Sequence, residues 1–265
     1  MSAGHGSLEG ALYRRGSSAV HRLPAHCKLV AAMCFVFVVV ATPRQQFWAF
    51  GAYLALLAVV AAAARVPPWF IAPRMLVELP FVLFALALPF LSTGTETVQV
   101  LGLQLSESGL LGAFNILAKG TLGVITALLL SATTQIRDLL RGLEQLRVPR
   151  IFVLIASFMV RYLTVVTAEL HRMRVSMASR GFQAGSARQW KAVASTAGAL
   201  FIRTYERGER VYLAMLSRGY TGQLPGTPGS HPGPSQWTAS ATLPAAALVV
   251  AVTAWTMQGL PWSAA

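Results

Sequence analysis

Apolar runs long enough to cross a bilayer constrain this chain more than any other feature. Leu29 to Thr42 is almost wholly apolar and stops at Pro43. Counted from Ala25, directly after Pro24 as a helix-start residue, it approaches the roughly 20 residues that a membrane-crossing helix needs. Phe47 to Ala64 is a second run, closed by Arg65 and the Pro67-Pro68 pair. Leu76 to Leu91 is a third and carries Glu78, Pro80 and Pro89, which predict a kinked helix or one short at its ends. Leu110 to Ala132, interrupted by Asn115 and Lys119, is a fourth, and Ala239 to Met257 is the last. Composition agrees: 55% of residues are hydrophobic, 12% are charged and the mean hydropathy is +0.56, outside the range of an ordinary soluble domain. The expected fold is an all-α integral membrane protein with about five transmembrane helices plus cytoplasmic amphipathic helices.

The segments between the runs set an orientation. The chain carries 22 lysines and arginines, and 14 of them lie between Arg137 and Arg218. Others sit in the N-terminal arm (Arg14, Arg15, Arg22, Lys28) and in the loop from Arg65 to Arg74. The loop from Thr93 to Ser108 and the tail from Gln258 carry none, and Arg44 is the exception. The positive-inside rule therefore puts the N-terminus and the basic block in the cytoplasm and the C-terminus outside. That parity requires Ile151–Ala168, apolar but holding Arg161 beside Tyr162, not to cross completely; it is read as a tilted helix under or partly inside the bundle. The alternation Val98-x-Val100 and Leu103-x-Leu105 around Gly102 predicts a small hairpin. The organisation expected is an N-terminal arm (1–28), a four-helix transmembrane region (29–132), a cytoplasmic region (133–222), a Pro/Gly linker (223–238) and a last transmembrane helix (239–257). No cleaved signal peptide is expected ahead of the first run.

Within the basic block one pattern occurs twice. Met177-Ala178-Ser179-Arg180-Gly181-Phe182 and Met215-Leu216-Ser217-Arg218-Gly219-Tyr220 share Met-x-Ser-Arg-Gly-aromatic, 38 positions apart. Upstream of each, charged residues recur at helical spacing: Glu169 and Arg172, then Arg203, Arg207 and Arg210. The opposite face is apolar, with Leu170, Met173 and Met177 in one copy and Phe201, Tyr205, Tyr212 and Met215 in the other. Glycine after arginine suits a helix that stops in a left-handed residue, and a cation in the last turn suits the helix dipole. One Arg-Gly pair would say no more than that a helix ends. Two matched copies predict amphipathic helices, each presenting a guanidinium whose rigid fork of donors fits a carboxylate or backbone carbonyls on a partner.

Several chemistries find no support. A net charge of +13 would point to nucleic acid in a soluble protein, but no zinc-ligand set, aromatic-interleaved strand or helix-turn-helix pattern accompanies it. His5, His21, His26, His171 and His231 are scattered, so no metal site is expected; His21 and His26 near Cys27 make at most a weak ligand group. Cys27 and Cys34 imply no disulfide framework. No phosphate-binding Gly-x-x-x-x-Gly-Lys-Ser/Thr loop is present, so any ATP is hydrolysed elsewhere. Glu78, Lys119 and Arg161 are ionisable groups in or beside apolar runs, candidates for function or for helix-to-helix contacts, with Lys119 within reach of Glu78 in one arrangement. Glu206 and Arg210 are spaced for a pair that steadies their helix.

The chain resembles a known family, the transmembrane T component of energy-coupling factor (ECF) transporters, and most closely its cobalt-type CbiQ branch. The resemblance rests on His21-Arg22-Leu23-Pro24 through Lys28-Leu29, on Leu143-Glu144-Gln145-Leu146-Arg147-Val148-Pro149 with Arg161-Tyr162, and above all on Ser179-Arg180-Gly181 and Tyr205-Glu206-Arg207 through Met215-x-x-Arg218-Gly219-Tyr220. The family often has Ala-Arg-Gly where this chain has Ser-Arg-Gly. The resemblance implies that Ser179, Arg180, Gly181, Ser217, Arg218 and Gly219 cap coupling helices seated in grooves of two cytoplasmic ABC-type ATPase subunits. Arg161, Tyr205, Glu206, Arg207, Arg210 and Met215 would support them. It further implies a substrate-binding S component in the membrane (CbiM-like in the cobalt branch) and cargo chosen by that partner, cobalt foremost among transition metal ions, or a vitamin. Surrounding membrane lipid is the remaining contact, and ATP and Mg would be bound by the ATPase partners, with no cofactor in this chain. Two readings from other classes stay open: a membrane enzyme acting on a lipid or isoprenoid phosphate through the basic block, and a self-contained carrier, which the lack of an inverted repeat disfavours.

Overall fold

The structure is a computed structural model that describes residues 13–14, 16, 18–91, 97–100, 103–182, 190–221 and 233–258. Its elements are α1 (Ala19–Arg22), α2 (Ala25–Ala41), α3 (Phe47–Ala63), α4 (Pro68–Ile71) continued by a 3-10 segment (Ala72–Glu78), α5 (Leu79–Leu91), β1 (Thr97–Val100), β2 (Leu103–Ser106), α6 (Glu107–Thr133), α7 (Ile136–Gln145), α8 (Arg150–Ser179), α9 (Trp190–Leu216) and α10 (Pro234–Gln258). Among the described residues, four helical stretches are long and apolar enough to cross a membrane: Pro68–Pro89, Ser108–Thr133, Arg150–Ser179 and Ser235–Met257. Ala25–Ala41 and Phe47–Ala63 are shorter apolar helices. The fold is all-α apart from the hairpin, whose strands pair antiparallel with Val98 opposite Leu105 and Val100 opposite Leu103. The chain forms two compact units, 1–142 with 231–265, and 143–230.

In the first unit, α2, α3, α6 and α10 share a core of Phe35, Val39, Phe50, Tyr53, Leu57, Leu122, Leu129, Ala247 and Ala254. On α10 the buried residues are small, Ser240, Ala247, Ala251 and Ala254, while Leu248, Val249, Val252 and Trp255 face outward. Lipid is as apolar as leucine, so helices in a bilayer gain from close backbone approach rather than from hiding hydrophobic side chains. The outward belt on α5 (Phe81, Leu83, Phe84, Leu86) follows the same logic.

Pro43 forces Thr42 into extended geometry (ψ 137) and ends α2. The Thr42 hydroxyl, which donates to the Val38 carbonyl at 2.9 Å, accepts from Tyr53 OH at 2.8 Å, tying α2 to α3. Three expectations are corrected here. Helical structure toward the third span begins at Pro68 rather than Leu76, because Pro68 fits a first helical position and the Arg74 guanidinium folds back 3.7 Å over the Phe70 ring and donates to the Phe70 carbonyl. Lys119 does not reach Glu78: its ammonium donates to the carbonyls of Val40 (2.8 Å) and Thr42 (3.0 Å), while the buried Glu78 carboxylate accepts from the Thr121 hydroxyl at 2.7 Å. The last helix starts at Pro234, so residues 234–238 of the expected linker are helical and most of the rest lies outside the described residues.

At the opposite end of α2, buried Lys28 donates to the Thr133 carbonyl (3.0 Å) and Thr134 Oγ1 (3.3 Å), where α6 stops. The two antiparallel helices thus exchange lysines, each ammonium meeting carbonyls at the other's C-terminal end. Those carbonyls carry the negative end of the helix dipole and have no intrahelical partner, which makes an intramembrane cation tolerable. Asn115, one turn from Lys119, adds a donor to the Arg44 carbonyl at 3.0 Å. Gly142 of α7 lies so close to α2 that a Cβ there would stand 2.9 Å from the His26 backbone nitrogen.

His21, ahead of the first span, closes a small clip: its Nε2 donates to the Arg14 carbonyl (3.1 Å) and its Nδ1 accepts from Ser18 Oγ (2.7 Å). That pairing fixes a neutral tautomer. Partial burial is the main force pushing its pKa below the usual histidine value, aided by the Lys28 charge and opposed by the Arg14 carbonyl. A histidine lowered in the fold contributes stability above its unfolded pKa of about 6.5 and loses it as pH falls through the lowered value. Protection of the Ser18–Arg22 amides against exchange is therefore expected to fall as pH drops below the unfolded value of about 6.5, and His21→Gln to flatten that dependence.

Candidate functional site

The paired signatures sit at the ends of α8 and α9, and both ends close identically. The Phe182 amide donates to the Met177 carbonyl (3.1 Å) and the Gly181 amide to the Ala178 carbonyl (3.0 Å). The Tyr220 amide donates to Met215 (3.0 Å) and Gly219 to Leu216 (3.0 Å). Both glycines have φ 79. This is the Schellman arrangement, in which the residue two beyond the cap bonds back to the third from the end and an apolar contact between those two commonly accompanies it. It accounts for each residue type in Met-x-Ser-Arg-Gly-aromatic: the methionine and the aromatic are the half-buried pair, the glycine takes the left-handed position, and the serine and arginine stay exposed. Ser179 Oγ and Ser217 Oγ return to their own helix backbone, on Val175 and Ala214.

α3 and α7 end with the same bond pattern, yet with arginine in the left-handed position (Arg65 φ 54, Arg147 φ 59). The glycines are thus a local solution to stopping a helix; the arginine before each carries the remaining information. Neither Arg180 nor Arg218 has a side-chain partner among the described residues, and both are exposed. Gly181→Ala and Gly219→Ala meet open space but a strained φ. Each is expected to cost about 1 kcal/mol, raising amide exchange in the last turn roughly 5-fold, with asparagine at the same position costing less.

α8 and α9 run antiparallel where they touch. Arg203 Nη1 reaches Glu169 Oε1 at 2.6 Å, and Thr196 Oγ1 reaches Met177 Sδ at 3.1 Å, so advancing along α8 means retreating along α9. The two tips consequently point to opposite ends of the pair. Arg180 lies about 16 Å beyond Glu169 and Arg218 about 22 Å beyond Arg203 in the other direction, at 1.5 Å per residue. Arg172 grips the second oxygen of Glu169, and both guanidiniums hold that carboxyl below its usual range.

The supporting residues divide. Arg207 and Arg210 line the cleft between the helices with Val165, Val166 and Glu169, and Glu206 pairs with Arg210 at 3.9 Å. Met215 is half-buried and supplies the carbonyl of the helix end. Arg161 is exposed and distant along α8, beside Tyr162, whose ring stacks on Phe158. Tyr205 stacks on Phe201, but both are exposed, 66% and 69%. The inward face of α9 is instead Ala192, Thr196, Leu200, Thr204, Val211 and Met215, which corrects the expected apolar face: small and β-branched side chains let the helices approach, and the aromatics are turned outward. His21, His26 and Cys27 do not assemble; His21 is in its clip and the His26 ring lies 5.5 Å from Trp237. Among the described residues no three His, Cys, Asp or Glu side chains converge.

The family model for the cobalt transport protein CbiQ matches residues 16–227, from the clip before the first span to beyond the second tip. The chain belongs to the CbiQ family. Similar proteins include the energy-coupling factor transporter transmembrane protein EcfT of Bacillus subtilis (30% identical over 224 residues, 79% of this chain and 83% of that one). The cobalt transport protein CbiQ of Rhodobacter capsulatus is 26% identical over 171 residues, 64% of this chain and 68% of that one. A fused cobalt transport protein, CbiMQ of Methanocorpusculum labreanum, is 25% identical over 213 residues, 78% of this chain and 35% of that one. With its apolar helices, membership of the CbiQ family makes this chain a multi-pass membrane T component of the ECF transporter type.

Proposed function

We propose that this chain is the coupling subunit of an ECF-type importer, passing the motion of two cytoplasmic ABC-type ATPases to a substrate-binding S component in the membrane. The observation that carries the reading is the pair of exposed, identically built arginine tips at opposite ends of crossed helices, a geometry that offers one tip to each of two separate partners. Arg180 and Arg218 are the gripping groups, Ser179, Gly181, Ser217 and Gly219 shape the tips, and the cleft residues Glu206, Arg207 and Arg210 with Met215 stiffen the helices behind them. Arg161 and Tyr205 would face further partners. ATP and Mg belong to the ATPases, whose two nucleotide states differ in contact with the tips and so move the rigid helices. The basic block and the N-terminus face the cytoplasm under the positive-inside rule. The cargo is a transition metal ion, cobalt foremost, or a vitamin; the name of the fused CbiMQ relative supports a membrane partner of the CbiM kind. The comparisons do not favour an enzyme acting on lipid or isoprenoid phosphate.

The test is uptake in vesicles. The chain with both ATPases and an S component is expected to import cargo only with hydrolysable ATP; import by the chain alone would overturn the assignment.

A further inference from the structure

Five acidic side chains are described between Arg137 and Arg218: Asp138, Glu144, Glu169, Glu206 and Glu209. Asp138 and Glu206 pair within their own helices, with Arg141 and Arg210. Glu169 differs. Its two oxygens are divided, Oε2 to Arg172 one turn along α8 and Oε1 to Arg203 on α9, and its side chain is 17% exposed where those of the arginines are above 60%. Arg172 thus holds the carboxylate in one orientation, with the free oxygen aimed across the crossing. Arg207 and Arg210 line the same cleft, so without this carboxylate the crossing would bring together guanidiniums with one sheltered counter-charge removed.

We infer that Glu169 is a positioning residue that fixes the angle between the two tip-bearing helices, acting as a strut between Arg172 and Arg203. The inference rests on the coupling role of the tips proposed above and deepens it. Its leverage comes from the arms: with about 22 Å from Arg203 to Arg218, a change of about 10° in crossing angle swings that tip by about 4 Å. Guanidinium–carboxylate contacts are directional, so the strut transmits an angle where an apolar contact would allow sliding. Such a rigid crossing lets movement at one tip reach the other instead of being absorbed between them.

The experiment uses the complete reconstituted transporter, with spin labels at S176C and L213C in a C34A background. Both label sites are exposed and lie one turn or so behind the tips. The unmodified strut is expected to give a narrow inter-label distance. E169Q and R203Q are each expected to broaden or shift it by about 3 Å or more, given those arm lengths. Cargo imported per ATP hydrolysed should fall at least about 5-fold while ATPase co-purification stays within about 2-fold, because the tips themselves are intact. D138N, which breaks the pair with Arg141 within α7, is expected to leave the distance unchanged. An unaltered distance in E169Q and R203Q would overturn the strut, as would a distance that changes equally in D138N. Retained ATPase binding by R180E/R218E would remove the tip assignment and leave the distance result standing, so the two failures are distinguishable.

Discussion

R180E/R218E is expected to lose co-purification with both ATPase subunits and to abolish ATP-driven uptake, while the chain still inserts and the first unit keeps its stability. A guanidinium seated against carboxylates or carbonyls in a partner groove makes charge-assisted bonds, and truncating one member of such a desolvated set costs upward of about 2 kcal/mol, roughly 30-fold in affinity per tip. Glutamate adds repulsion to that loss. Each single substitution is expected to weaken assembly by that factor, and the double by about the product, since the tips are far apart and share no partner. The stability of the first unit should be untouched because neither arginine contacts another described side chain and both are exposed. Lysine at either tip should restore charge but not the fork, giving an intermediate affinity.

The largest stability effect is expected at the exchanged lysines. K28M and K119M keep the length of the side chain and remove its donors, stranding the carbonyl of Thr133 in one case and those of Val40 and Thr42 in the other. A buried acceptor left without a partner costs about 1–3 kcal/mol, which applies to the Thr133 carbonyl; the Val40 and Thr42 carbonyls are met in exposed and half-buried surroundings, so K119M is expected to cost less. The two sites are separated by most of the length of α2, so the losses should add in the double variant. Thermal unfolding in detergent, followed by loss of monodispersity, measures this. An unchanged transition in both single variants would refute the exchange.

Much of the architecture is legible in the residues. The spans announce themselves by apolar runs, and Val98-x-Val100 with Leu103-x-Leu105 around a glycine is a hairpin pattern that β1 and β2 realise. The helix ends after Arg180 and Arg218 fit the Arg-Gly-aromatic pattern that follows each helix, and the structure adds why methionine precedes and an aromatic follows. What a linear reading misses is pairing at a distance. Lys119 looks like a partner for Glu78 because opposite charges in apolar runs attract; nothing in the order of residues says that backbone carbonyls of another helix are the nearer acceptors. The inner face of α9 escaped for a similar reason, since periodicity marks Phe201, Tyr205 and Tyr212 as one apolar stripe, yet the stripe faces away from α8 and the smaller Ala192, Thr196 and Thr204 meet it. Glu169 did carry a signal, an acidic residue amid arginines, but its partner 34 positions later is visible only in the fold. The start of the third helical stretch at Pro68 was obscured by Arg65 and Arg74, which read as loop although Arg74 folds over Phe70.

One measurement bears most directly on the central claim that the arginine tips grip two cytoplasmic motors. A photo-activatable amino acid placed at position 180 or at position 218, in membranes containing the complete transporter, should on illumination yield an adduct with an ATPase subunit from each position, and the yields should change with nucleotide. Adducts with lipid alone, or labelling of both positions by a membrane-impermeant reagent added outside intact cells, would contradict the account.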